Sequence, residues 1–196
     1  LKDLTKERSD DFKQCFLITH FFNPVRYMRL LEIVTGPETK DEVKETIVEV
    51  CSKRLGKGIV YAKDTPNFVA NRIGVHGMMH LLKGIQDKGF TVEFVDKVLG
   101  KPIGRPMGPF RLTDLVGLDT VAHVAENTYQ YCEDDEDRDL FVVPDFVKKM
   151  FEKKLLGNKT KAGFYKVERK GKGKKEILAL DLKSLEYRPK QKARAE

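Results

Sequence analysis

The stretch "THFFNPVRYMRLLEIVTG", residues 19–36, sets two strand-length apolar runs on either side of a proline turn. Each run carries one titratable side chain, His20 near the end of the first and Glu32 inside the second. Apolar runs this short, "QCFLITHFF" and "RLLEIVTG", read as strands. Joined through "FFNPVRYM", the two strands can bring His20 and Glu32 face to face. A histidine accepts and returns a proton near neutral pH. A carboxylate on its other ring nitrogen fixes the tautomer and stabilises the imidazolium. Spacing alone favours a plainer reading, a satisfied core histidine beside a strand glutamate facing water.

Downstream, "TKDEVKETIVEVCSKRLG" reads as an amphipathic helix. Thr39 or Lys40 opens it and acids fill its first turn. Val43, Ile47, Val50 and Cys51 form the apolar stripe, and Arg54 and Gly56 mark its end. "GIVYAKD" follows as a strand. Strands are thus expected near 16–20, 30–35 and 58–62, and residues 1–64 read as the closing part of an α/β domain. At "KDTPNFVANRIGVHGMMHLLKGIQDKG" the pattern turns helical, with Pro66 in the first turn and Phe68, Ile73, Met79 and Leu82 among its apolar members. "TVEFVDKVLG", the segment behind the Pro/Gly loop "IGRPMGPF", and "PDFVKKMFEKKLLG", closed by Gly157, add further helices. Residues 65–166 therefore read as a helical domain, and residues 167–196 as a basic tail or linker with one strand-like run, "EILALDL". The expected class is mainly α with an α/β N-terminal remnant.

With 196 residues, 40% of them hydrophobic, the chain can bury one sizeable core or two modest ones. Much of the net charge of +7 lies in the last stretch, while acids and bases alternate upstream. That pattern suits a phosphate-bearing small molecule. No helix carries a dense Lys/Arg stripe with interleaved aromatics, so a helical nucleic-acid binder is the weakest of the readings and no nucleic-acid partner is expected. Cys15, Cys51 and Cys132 are odd in number and form no CxxC, which reads as reduced thiols in a cytoplasmic protein with no metal-ligand set. No apolar run approaches the length of a membrane span.

Two more segments bear on the dyad. "DTPNFVANR" puts Asn71 near a helix start, where its amide can meet a ligand carbonyl or the imidazole. "GRPMGPFRLTDLVGLD" holds Gly104, Pro106, Gly108 and Pro109 in a stiff loop just before a helix. Taken singly, each reads more simply as a surface amide and a connector. Together, "HFFNPVRYMRLLEIV", "KDTPNFVANRI" and "GRPMGPFRLTDLVGLD", in that order, resemble the signature series of the 3-hydroxyacyl-CoA dehydrogenases. "GNKTKAGFY" also resembles a segment found in the longer bacterial and archaeal members, so the likeness covers about residues 1–166. It implies that His20 is the catalytic base, that Glu32 orients it, and that Asn71 contributes to the substrate site. It implies the last strands of a Rossmann-type NAD-binding domain followed by an all-helical dehydrogenase domain. The implied reaction oxidises 3-hydroxyacyl-CoA to 3-ketoacyl-CoA with NAD in fatty acid β-oxidation, in a homodimer formed through the helical domain.

Three departures qualify the likeness. The family's dinucleotide half opens with a G-x-G-x-x-G turn, and no such turn occurs here; "KGKGKK" is late, basic and followed by no amphipathic helix. The family serine upstream of the histidine has no counterpart, because Ser9 lies in a charged, helix-like segment. Asn67 stands where the family has glycine, a position that favours left-handed backbone, which Asn tolerates. These features lead us to expect the C-terminal part of a longer dehydrogenase, its cofactor-binding residues lying elsewhere, with "LDLKSLEYRPKQKARAE" as a junction to an enoyl-CoA hydratase domain. The alternative is a non-catalytic dimerisation and acyl-CoA-binding module.

Overall fold

Strands β1 (Leu17–Phe21) and β2 (Leu30–Thr35) pair antiparallel, and β2 pairs in parallel with β3 (Gly58–Ala62), in the order β1-β2-β3. Parallel neighbours require a crossover, and helix α3 (Asp41–Glu49) supplies it. Two short helices, α1 (Lys2–Thr5) and α2 (Asp10–Cys15), precede the sheet. Ser9 accepts a hydrogen bond from the Phe12 amide at 3.3 Å and caps α2, an ordinary structural task. The computed structural model describes residues 1–170 and 174–193, and contacts divide the chain into two units, Leu1–Asn71 and Arg72–Glu196.

In the first unit Leu31 and Ile33, alternating along β2, bury one sheet face against Cys51, Ile47 and Val48. Val48 takes the place expected for Val50, which is exposed and begins the wider turn Val50–Arg54 that ends the helix. Gly56 closes that turn at φ 64°, where glycine is unstrained.

The second unit is built on α4 (Ala70–Lys88), α5 (Val92–Val98), α6 (Pro109–Val116), α7 (Leu118–Tyr131) and α8 (Asp145–Glu152). Along α4, Val75, Met79, Leu82 and Ile85 recur at helical spacing and enter a core with Phe110, Ala125, Phe146 and Met150. The helix begins later than expected. Asn67 and Phe68 both hold positive φ, 63° and 48°, which breaks any helical continuation from Pro66. Ile73, expected on the apolar side, is 69% exposed.

The reading of residues 167–196 as a tail or linker needs correction. Strands β4 (Tyr165–Lys170), β5 (Lys174–Leu180) and β6 (Tyr187–Pro189) form an antiparallel sheet. Phe164, Ala179, Leu180, Leu182 and Leu185 from this region are buried in the helical core. Residues 180–189 of the "LDLKSLEYRPKQKARAE" stretch, expected as a junction, are thus part of the domain. Lys170, Lys174 and Lys175 of the run that suggested a linker lie on the arms of a hairpin, where Arg169 pairs with Lys175. The glycines of "KGKGKK" lie outside the described residues.

One ion pair ties the last strand to the helices. Glu93, 3% exposed, receives both Arg188 guanidinium nitrogens at 2.6 and 3.0 Å and the Gln191 amide at 3.0 Å. Burial alone would raise its pKa; the guanidinium and the amide outweigh burial and hold it below the ordinary carboxylate range. Arg188→Ala would strand a buried carboxylate. We expect a loss of about 3 kcal/mol, read as a lower urea midpoint at unchanged slope.

Candidate active site

The antiparallel register sets His20 directly opposite Glu32, so both side chains leave the same face of the sheet. His20 Nδ1 and Glu32 Oε2 are 2.6 Å apart. Glu32 has no exposed surface, whereas 29% of the His20 side chain is accessible. The plainer reading of a water-facing glutamate is therefore excluded. With Nδ1 engaged by the carboxylate, Nε2 is the ring nitrogen left to exchange a proton.

Glu32 does a second task that the sequence reading missed. Its Oε1 accepts the backbone N–H groups of Val69 at 3.0 Å and Ala70 at 2.8 Å. Ala70 opens α4, so the carboxylate satisfies amides that the start of a helix leaves without intrahelical partners. The positive end of the helix dipole also favours the negative charge there. The left-handed residues Asn67 and Phe68 immediately precede these two amides. Asn tolerates that geometry, but a phenylalanine held there costs on the order of 1–2 kcal/mol. The Phe68 ring lies 5.6 Å from the His20 ring, and Phe22 lies 4.6 Å away on centroids. The imidazole thus has a carboxylate on one nitrogen and aromatic neighbours around its ring. The sequence signal for this arrangement was Asn67 standing where glycine is usual; Phe68 carried none.

Asn71 is half-buried in the first turn of α4, one residue beyond the amide bound by Glu32. It forms no hydrogen bond with His20 or Glu32 among the described residues. No glycine-rich turn opens a helix behind a strand among those residues either.

The "GRPMGPFRLTDLVGLD" motif has its polar groups in structural work. Asp96 accepts the Phe110 and Arg111 amides at 2.7 and 3.1 Å, capping α6, and also the Tyr165 hydroxyl at 2.8 Å. Gly108 is required because a Cβ there would fall 2.5 Å from Asp96. Asp114 accepts the Phe164 and Tyr165 amides, both at 2.8 Å, and joins α6 to β4. Burial pushes its carboxyl up to about 6 against these hydrogen bonds.

Comparison with known proteins follows the same division. Residues 1–65 match the family model for the 3-hydroxyacyl-CoA dehydrogenase NAD binding domain, and residues 68–167 match that for the C-terminal domain. A Bacillus subtilis protein described as a probable 3-hydroxyacyl-CoA dehydrogenase is 45% identical over 95% of this chain and 23% of its own length. The fatty acid oxidation complex subunit alpha of Acinetobacter baylyi is 40% identical over 82% of this chain and 22% of its own. The crystal structure of a Ralstonia eutropha (S)-3-hydroxybutyryl-CoA dehydrogenase superposes with a TM-score of 0.65 at 32% identity, covering 80% of this chain and 52% of that one. The chain therefore spans from under a quarter to about half of these proteins.

Proposed function

Because the chain belongs to the 3-hydroxyacyl-CoA dehydrogenase family, we propose that His20 and Glu32 are the general-base pair for NAD-dependent oxidation of 3-hydroxyacyl-CoA to 3-ketoacyl-CoA. The observation that carries this reading is the 2.6 Å contact between a partly accessible imidazole and a fully buried carboxylate. His20 Nε2 takes the proton of the substrate 3-hydroxyl as the carbonyl forms. Glu32 Oε2, accepting from Nδ1–H, offsets the charge that develops on the ring. Asn71, in the first turn of α4, donates its amide to the substrate. NAD supplies the hydride acceptor. The described residues do not make the pyrophosphate cradle that a glycine turn provides, so this chain's own part is the handling of the proton.

The Acinetobacter relative, named for a fatty acid oxidation complex and more than four times as long as the stretch it shares, supports a setting in fatty acid oxidation within a longer protein. Free thiols at Cys15, Cys51 and Cys132 support the cytoplasm. Leu112 and Leu115 on α6, 45% and 58% exposed, support a homodimer through the helical unit. The same exposed side chains favour the second reading, a dimerisation and acyl-CoA-binding module without catalysis.

The two readings separate in one experiment. The 196-residue chain alone should bind NAD no tighter than about 1 mM by calorimetry and show no turnover with 3-hydroxybutyryl-CoA. A protein joining it to its glycine-turn segment should reduce NAD with the same substrate. Micromolar NAD binding by the chain alone would overturn the placement of the cofactor site. An inactive joined protein that binds the acyl-CoA would leave the non-catalytic module.

A further inference from the structure

Helix α4 lays a row of nitrogen-bearing side chains along an acidic segment, residues 133–139, "EDDEDRD". Arg72, His76 and His80 stand four residues apart, so they share one helix face. Arg72 forms an ion pair with Asp135, His76 Nε2 lies 2.9 Å from Asp137 Oδ2, and Lys83 donates to the Asp139 carbonyl. The Asp137 amide donates to Asp135 Oδ1 at 2.9 Å, which fixes the turn that presents Asp137. Behind the row, the buried Phe141 ring lies 6.2 Å from the His76 ring. The segment is therefore strapped to the helix on both sides of His76.

Within this frame His80 completes a cluster. Its ring stands edge-on to that of His76 with centroids 4.7 Å apart. One ligand atom from each of His76, His80 and Asp137 falls within 4.8 Å of the other two. Two imidazoles one helical turn apart with a carboxylate across from them form a nitrogen-rich donor set. Such a set suits zinc and its borderline neighbours; magnesium and calcium prefer all-oxygen shells. Ligand bonds of 2.0–2.1 Å hold tetrahedral donors roughly 3.3 Å apart. The widest separation, within 4.8 Å, must therefore close by up to about 1.5 Å, within the reach of side-chain rotation at His80 and Asp137, which are both exposed. The surrounding carboxylates Glu133, Asp134 and Glu136 raise the local concentration of a divalent cation.

We propose that His76, His80 and Asp137 form a binding site for zinc or a zinc-like divalent ion, which clasps the acidic segment to α4. The ion replaces the proton shared between His76 and Asp137, and water fills its remaining positions. Because the clasp exists only in the folded protein, the ion raises thermal stability by mass action.

The test is zinc titration of the full chain by calorimetry in a Cys15→Ser background, which removes the exposed thiol as a competing ligand. Cobalt(II) serves as a second probe through its visible absorption. One equivalent should bind with a Kd on the order of micromolar. His80→Gln and Asp137→Asn, both at exposed positions that leave the core intact, should each weaken binding at least tenfold, a loss of the order that second-shell changes alone produce. The exposed His123→Gln should change nothing. Binding that survives both His80→Gln and Asp137→Asn, or no binding of either ion by about 100 μM, would overturn the site.

Discussion

Replacing His20 with alanine in the joined protein should lower kcat by about 10²–10⁴-fold, the usual reach of a general base, the role proposed for it, while the fold survives. His20 lies on β1, whose residues are all only partly buried, so truncation leaves little cavity. Glu32→Gln is the more discriminating variant. The Val69 and Ala70 amides need an acceptor, and the single amide oxygen of glutamine must turn toward them. Its NH₂ then faces His20 Nδ1, which has to present a lone pair. That moves the ring proton to Nε2, so the nitrogen meant to accept a proton already carries one. The rate loss should approach that of His20→Ala, with little change in melting temperature. Glu32→Ala should lose stability as well, because each buried amide left without a partner costs about 1–3 kcal/mol. Steady-state rates beside circular-dichroism melts read all three variants. Unaltered turnover in His20→Ala would end the catalytic assignment, and unaltered turnover in Glu32→Gln would end the tautomer argument.

Phe110→Ala should be the most damaging single truncation in the helical unit, at about 3–5 kcal/mol. Phe110 has no exposed surface and packs on Phe164 with ring centroids 4.6 Å apart. Phe110 sits in the first turn of α6, whose amides Asp96 holds, and Phe164 directly precedes β4, whose amide Asp114 holds. Both rings are pinned through their own backbones, so neither can move far to fill the space. A domain with 5–15 kcal/mol of total stability loses a large fraction of it. Urea melts followed by circular dichroism should show the midpoint fall. Leu115→Ala on the same helix, 58% exposed, should stay within about 0.5 kcal/mol. A Phe110→Ala loss as small as that would mean the core is not joined through this ring pair.

The sequence carried most of the first unit, because strand-length apolar runs, a helix with acids in its first turn and a glycine stop are local signals. The strands lie where the pattern put them, and His20 and Glu32 face each other as their spacing allowed. The sheet Tyr165–Pro189 was hidden for an equally physical reason. Its lysines sit on hairpin arms and resemble a solvated tail, while the residues that bury it meet their partners far upstream in the chain.

The residue types, their order and their spacing determined by themselves that a histidine and a carboxylate would occupy adjacent strands, and that a long helical segment would follow. The tertiary structure decided that Glu32 is buried, that its second oxygen holds the start of α4, and that His76, His80 and Asp137 gather at one place. None of these is a property of a local stretch. Each depends on backbone amides or side chains separated by 37 residues or more in sequence, at Val69 against Glu32 and at His76 against Asp137. Only packing, which trades chain entropy for burial and hydrogen bonds, brings such groups together.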